Sequence, residues 1–217
     1  MDMNIAIIGS GNVGKALAGS FARADHHVTL AARDVNKVNE TATELGVSAA
    51  ATLTDAARDA DVIILAVPFD AVAEVATELR PVVHGKVVID ATNPLKTDYS
   101  GLATEGGRSG AERLAEMLPE AKVVKAFNTM FGSIQADPRT HGTTLDAFFA
   151  TDDDHAREIL TQLISSLGLR PIDAGPLNAA RELEALAWLN IRIQMQSNGD
   201  WRSAFVLVGA PREAIAA

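Results

Sequence analysis

The sequence predicts an α/β protein built on a doubly wound, mainly parallel sheet with a smaller C-terminal α/β part. Apolar strands alternate with helical segments from the first residues to about residue 128, which is typical of consecutive βαβ units. The first strand is a continuous apolar run without alternation, as expected for a strand buried on both faces. A glycine-rich turn joins that strand to the first helix.

The individual elements follow from apolar runs, turn residues and capping residues taken in chain order. We predict a last strand or an extended tail over residues 204–208. We assign residues 1–135 to a dinucleotide-binding domain and residues 136–217 to a small substrate or dimer part, with one continuous domain as the alternative. The remaining predicted strands cover residues 4–8, 27–32, 61–67, 86–90, 122–127, 144–150 and 170–173, and the helices cover residues 15–24, 36–45, 54–59, 71–79, 111–118, 153–166 and 177–195.

Composition limits the classes of partner. The formal net charge is −9, and an acidic surface repels phosphate backbones, so we expect no nucleic-acid partner. The chain has no cysteine, which excludes disulfides and thiolate zinc sites. It has no apolar run long enough to cross a bilayer and no N-terminal signal pattern, so we expect no membrane partner and a cytoplasmic location.

The turn after the first strand fits the pattern G-x-G-x-x-G. The first glycine permits a tight turn, the second lets the backbone approach a pyrophosphate, and the third lets the helix pack close to the strand. Because the motif follows an apolar strand and opens a helix, it predicts a Rossmann-type dinucleotide site. An overlapping P-loop pattern fails at Ala16, where magnesium needs a hydroxyl. The predicted cofactor-binding residues of the turn are Gly9, Ser10, Gly11, Asn12, Val13 and Gly14.

Basic residues at the end of the second strand favour NADP(H) over NAD. Arg33 stands where NAD-binding proteins place an acidic residue, and Lys37 follows one helical turn later. A guanidinium can hold a 2′-phosphate through two hydrogen bonds, whereas a carboxylate would repel it. Asp34 leaves the alternative open, since a shift of one residue would make it the NAD-type acid.

Three other strand ends carry residues that we expect beside the ligand, because ligands of open α/β sheets bind beyond the carboxyl ends of the strands. The predicted cofactor contacts there are Ala66, Val67, Pro68 and Asn93, and the predicted substrate contacts are Pro94, Leu95, Asn128, Thr129 and Met130. The alternative for each is an ordinary turn or capping residue.

The sequence presents no acid–base pair and no metal-ligand spacing, so we assign no catalytic side chain and no metal. We expect His26, His27 and His84 on the surface. His141 is left open, because its loop follows the third of these strand ends.

Four segments carry a family resemblance, namely residues 7–14, 66–68, 123–129 and 169–177. Together they resemble the NADPH-dependent reductases of the deazaflavin coenzyme F420, also called F420-dependent NADP oxidoreductases. The resemblance covers nearly the whole chain, and related modules occur in metalloreductases and, more distantly, in pyrroline-5-carboxylate reductases. Its most specific part is the run R-P-I-D-A-G-P-L with the helix behind it.

The resemblance implies hydride transfer between NADPH and a flat redox ring stacked on its nicotinamide, which explains why no acid–base group is needed. It implies that the second ring, F420 or a flavin, lies near Leu95, Thr129 and Met130 and that the C-terminal helix closes the site. Ala32 replaces a serine that often helps to hold the 2′-phosphate, which affects the strength of NADP binding more than its identity. The dinucleotide is assigned to Ser10, Asn12, Val13, Arg33, Lys37, Val67, Pro68 and Asn93.

Two other functions remain open from the sequence, namely a non-catalytic NADP(H)-binding redox sensor and a reductase of imines or small carbonyl compounds. The acceptor is a small molecule that the sequence does not name.

The loop over residues 96–110 is either a mobile lid or a surface insertion. The long C-terminal helix either packs across a homodimer interface or covers the sheet.

Overall fold

The computed structural model describes residues 2–104, 107–139 and 142–209, and within them eight strands form one sheet. The strands are β1 (Asn4–Ile8), β2 (His27–Ala31), β3 (Ser48–Ala49), β4 (Val62–Leu65), β5 (Val87–Asp90), β6 (Lys122–Ala126), β7 (Asp146–Thr151) and β8 (Arg170–Asp173). Their spatial order is β3-β2-β1-β4-β5-β6-β7-β8. Every neighbouring pair is parallel except β6 and β7. The predicted fold class is confirmed.

Helices cover both faces of this sheet, as its buried apolar strands require. The helices are α1 (Asn12–Arg23), α2 (Val35–Leu45), α3 (Leu53–Arg58), α4 (Val72–Leu79), α5 (Gly110–Met117), α6 (Gly132–Ala136), α7 (Asp154–Ser166) and α8 (Ala180–Ser197). Helices α1, α2, α6 and α7 contribute to one apolar core, and α3, α4, α5 and the start of α8 contribute to the other. None of the described helices combines the length and apolar character that a membrane span needs.

The sheet runs without interruption across the boundary near residue 135, since β6 pairs with β7 through Val124↔Thr151, Lys125↔Ala150 and Ala126↔Phe149. The division into two parts stays a prediction. Of the two alternatives predicted for residues 204–208, the extended tail is confirmed and the strand is not, because this segment forms no ladder. The tail is held where the Leu207 amide donates to Asp146 at 2.6 Å and its carbonyl accepts from Arg170 at 2.7 Å.

Candidate functional site

The predicted cofactor segments lie side by side because the strands before them are in register. Ile8 at the end of β1 pairs with Leu65 of β4, Leu65 pairs with Asp90 of β5, and Asp90 pairs with Lys125 of β6. The chain leaves all four strands at the same edge of the sheet. This edge is where ligands of open α/β sheets bind.

The glycine turn is built as its spacing predicts. Gly9 adopts φ +119°, and a Cβ there would lie 2.3 Å from the Ala66 carbonyl oxygen. A Cβ on Gly14 would lie 1.9 Å from the Gly9 carbonyl oxygen, so only glycine allows this approach of helix to strand. A Cβ on Gly11 would meet no protein atom within 4 Å. The turn is therefore closed against the sheet at Gly9 and Gly14 and open on the outside at Gly11.

The N-terminus of α1 faces this open side without a cap. Gly11 is the N-cap residue and offers no side chain, and the first turn contains no acidic residue. The Lys15 amide makes a helical hydrogen bond, to Gly11 at 2.8 Å, and the three amides before it have no acceptor within the helix. These amides and the helix dipole create a site for an anionic group. The open space at Gly11 fits a diphosphate.

Beyond β2, Asp34 caps a helix, whereas Arg33 and Lys37 are exposed. The Asp34 carboxylate caps α2 by accepting a hydrogen bond from the Lys37 amide at 3.1 Å. The Arg33 side chain is 73% exposed and forms a 3.5 Å ion pair with Glu74 of α4. Lys37 is also exposed. Arg33 and Lys37 therefore present positive charge at this strand end, while Asp34 is occupied by the backbone of α2.

Two cavities flank the ends of β4, β5 and β6, and Asn93 lines both. The first, of about 680 Å³, lies between Pro68 and a hairpin over residues 95–103. The second, of about 500 Å³, lies between the start of α1, the end of β6, α8 and Trp201. Leu95 lines the first cavity, whereas Asn12, Val13, Asn128, Thr129 and Met130 line the second. Pro94 is buried and lines neither.

The loop over residues 96–110 forms a short hairpin in its described part. Leu95 bridges Leu102, and the Ala103 amide donates to the Pro94 carbonyl at 2.6 Å. Residues 105 and 106 lie outside the described residues. The lid role of this loop stays a prediction.

Sequence reasoning missed a buried charged triad beneath the site. The Lys125 ammonium lies 2.9 Å from Asp90 Oδ2 and 3.0 Å from Glu184 Oε1, and it donates to the Thr92 carbonyl at 2.6 Å. All three charged side chains are at most 1% exposed. Burial raises the pKa of Glu184, and the Lys125 ammonium opposes that rise. The Glu184 carboxylate also accepts from the Gly110 amide at 2.9 Å, so the triad joins β5, β6, α5 and α8.

A second ion pair joins α5 to α8. Arg181 donates to both carboxylate oxygens of Glu112, at 2.8 and 2.6 Å. The Arg181 hydrogen bond is the main cause that lowers the pKa of Glu112 from 4.5 to about 2. A carboxyl group with a lowered pKa stabilises the folded state above its unfolded pKa, and this contribution disappears as the pH falls through the folded pKa.

We therefore expect Arg181→Gln to lower the free energy of unfolding at neutral pH only modestly, since the half-exposed guanidinium is screened by solvent. The difference from wild type should shrink as the pH falls from 4.5 towards 2, where Glu112 becomes protonated. Thermal unfolding followed by circular dichroism across this pH range measures the difference in stability between the two proteins. A difference that stays constant down to pH 2 would contradict the coupling.

The histidine predictions are partly wrong. His27 and His84 are exposed as expected, but His26 is buried. Its ring packs edge-on against Phe21 and accepts a hydrogen bond from the Met3 amide. The His26 side chain therefore lies beside the start of β1. His141 lies outside the described residues.

The fold and the open glycine turn define a protein of the Rossmann class. Residues 4–94 match the family model described as "NADP oxidoreductase coenzyme F420-dependent". The F420-dependent NADP reductase of Methanothermobacter thermautotrophicus is 34% identical over 215 residues, which cover 91% of each chain. The chain therefore belongs to the family of F420-dependent NADP reductases, and the resemblance found in the sequence is confirmed.

Two further comparisons cover most of this chain. The crystal structure of a putative F420-dependent NADP reductase from Arthrobacter sp. FB24 superposes with a TM-score of 0.86 at 28% identity, covering 94% of this chain and 99% of that one. Human metalloreductase STEAP2 is 26% identical over 185 residues. That match spans 85% of this chain and 36% of the metalloreductase.

Proposed function

We propose that the protein is an NADP-dependent oxidoreductase that transfers hydride between NADPH and a deazaflavin, coenzyme F420. The observation that carries this proposal is the full-length match to an F420-dependent NADP reductase, at 34% identity over 91% of both chains. The geometry supports it, because the start of α1, with its open anion site, lines the second cavity, and this cavity shares Asn93 with the first. The bound nicotinamide supplies the hydride chemistry, and the protein supplies position.

In this proposal the diphosphate lies on the amides at the start of α1, with the Gly9 to Gly14 turn beneath it. Gly11 supports this placement, since the space that a side chain there would fill is free of protein atoms. Arg33 and Lys37 hold the 2′-phosphate at the end of β2, where both are exposed. Ala66, Val67 and Pro68 line the nicotinamide ribose, and Asn93 meets the nicotinamide carboxamide.

In this proposal the acceptor ring would be held beside Asn93, which lines both cavities. Leu95 faces it from the first cavity, and Thr129 and Met130 face it from the second. Pro94 acts indirectly, through the hydrogen bond that its carbonyl accepts at the base of the hairpin. Hydride transfer between two rings needs face-to-face contact and exclusion of water, so orientation accounts for most of the catalysis.

The proposed activity is tested by adding NADPH and one acceptor at a time to the purified protein and following absorbance at steady state. We expect rapid turnover with coenzyme F420 and slower turnover with a free flavin or a ferric chelate. Turnover with an imine or a small ketone alone would favour the imine reductase alternative. NADPH binding without oxidation by any acceptor would favour the redox sensor.

Cofactor choice is tested by Arg33→Glu. We expect the dissociation constant for NADPH to rise about 100-fold, because charge-assisted hydrogen bonds are lost and repulsion replaces them, while that for NADH changes little. Isothermal titration calorimetry measures both. The matched control is Arg58→Glu, which makes the same charge change at the end of α3. Equal losses for the two dinucleotides would contradict the assignment.

We also propose that α8 packs against a second copy of the chain. Its outer side carries Leu189 and Ile193, four residues apart, and both are nearly half exposed. Met195 is half exposed as well. The core-facing side of the same helix, with Leu183, Ala187 and Ile191, is already covered. A helix that is apolar on two sides is typical of packing between two partners.

A further inference from the structure

Two asparagines face each other across the ends of β5 and β6. The Asn93 side-chain amide donates to the Asn128 backbone carbonyl at 2.9 Å, and the Asn128 side-chain amide donates to Asn93 Oδ1 at 3.0 Å. Asn93 thereby uses one of its two N–H donors and one of its two lone pairs. Because Asn93 is half-buried and lines both cavities, one donor and one acceptor remain for a ligand.

The orientation of Asn128 is set from α8. Its second N–H donates to the Leu183 carbonyl at 3.1 Å, and the side chain is 4% exposed. A flipped amide would place Oδ1 against that carbonyl oxygen, where it could not donate. Glu184, which follows Leu183 in α8, is bound to Lys125 and to the Gly110 amide. These contacts hold this turn of the helix in place.

This arrangement is kept at a cost in free energy. Within the described residues, Asn128 Oδ1 is buried and accepts no hydrogen bond, and the same holds for Thr92 Oγ1 next to Asn93. Phe127, directly before Asn128, adopts φ +62°, which is rare for a bulky side chain. Buried acceptors without partners and strained backbone are unfavourable, and they concentrate at functional sites. Here both occur around one amide pair.

We infer that Asn128 is a positioning residue that orients Asn93, so that Asn93 presents one N–H and one lone pair to a primary carboxamide. This inference rests on the proposed function, because the nicotinamide ring carries such a carboxamide. Asn93 then contacts the cofactor, whereas Asn128 does not contact the cofactor and acts only through Asn93. The chain of hydrogen bonds runs from Leu183 through Asn128 to Asn93.

The test compares NADP⁺ with its 3-acetylpyridine analogue, in which a methyl ketone replaces the carboxamide and removes its N–H donors. We expect wild type to bind NADP⁺ more tightly than the analogue in calorimetry. In Asn128→Ala this preference should fall about fivefold, the equivalent of one hydrogen bond between neutral groups. In an Asn93→Ala background, Asn128→Ala should cause no further loss, because its effect passes through Asn93.

The matched control is Gln135→Met. Gln135 is 1% exposed and donates to the carbonyls of Phe127 and Met130, at 2.6 and 3.1 Å, so its loss loosens the same segment without touching Asn93. This variant should keep the wild-type preference even where both affinities fall. If Asn128→Ala fails to fold, Asn128→Ser gives the same comparison, because the serine side chain is too short to hold Asn93.

An unchanged preference in the folded Asn128 variants would overturn the positioning role, as would equal binding of NADP⁺ and the analogue by wild type. The outcome for the proposed function is separate. If wild type bound neither dinucleotide, the proposed function itself would fail, whereas normal NADP⁺ binding with an unchanged preference refutes only the role of Asn128.

Discussion

Gly11→Val is expected to weaken NADPH binding at least 100-fold while leaving the fold intact. Gly11 has φ −77° and ψ −171°, which any residue can adopt, and a Cβ there meets no protein atom within 4 Å. The valine side chain would fill the space assigned to the diphosphate and remove several charge-assisted hydrogen bonds to the α1 amides. Calorimetry measures the affinity. The free energy of unfolding should fall by only about 1 kcal/mol, the usual effect of a substitution at a helix N-cap.

Gly14→Ala is the matched comparison, because it adds one carbon to the same turn on its closed side. That carbon would lie 1.9 Å from the Gly9 carbonyl oxygen, so the helix must move and the melting temperature should fall by several degrees. Loss of binding in Gly14→Ala follows from loss of structure, whereas loss of binding in Gly11→Val does not. A folded Gly11→Val protein that binds NADPH as wild type does would refute the placement of the diphosphate.

Lys125→Met is expected to have the largest effect on stability. It removes the ammonium of the buried triad and leaves the Asp90 and Glu184 carboxylates without a counter-charge. Breaking a buried ion pair in this way costs about 3–5 kcal/mol, which for a chain of this size lowers the melting temperature by roughly 6–20 °C. Urea unfolding followed by circular dichroism gives the free energy directly.

Two other variants serve as controls. Lys122→Met lies on the same strand, but its ion pair with Asp153 is partly exposed, so its loss should cost less than about 1 kcal/mol. Glu184→Gln keeps an acceptor for the Gly110 amide and leaves one carboxylate for one ammonium, and it should destabilise far less than Lys125→Met. Similar losses for Lys122→Met and Lys125→Met would mean that the buried triad has no special role.

The features that local sequence encodes were predictable. The apolar run, the three glycines and the helix behind them define the first βα unit, and the structure has β1 over the predicted residues. Helix α1 begins three residues earlier than predicted, at Asn12, because Gly11 acts as its N-cap. The five-residue helix α6 was missed, since so short a segment shows no helical period. The two-residue strand β3 was missed for the same reason.

The triad and the asparagine pair depend on tertiary contacts that the sequence does not encode locally. One signal was available, because Lys125 interrupts an apolar strand in a sheet covered on both faces, where a lysine must find a buried partner. Its partner Glu184 lies on a distant helix and looks like an ordinary surface residue in the sequence. The hydrogen bond from Asn128 to the Leu183 carbonyl involves a backbone atom, so no side-chain pattern could indicate it.

The most direct test of the account is calorimetry of the wild-type protein with NADPH and, separately, with NADH. We predict that NADPH binds in the micromolar range and at least about tenfold more tightly than NADH, because the 2′-phosphate adds charge-assisted hydrogen bonds at Arg33. Absence of binding by either dinucleotide at millimolar concentration would contradict it. Tighter binding of NADH would contradict the role of Arg33 and point to Asp34.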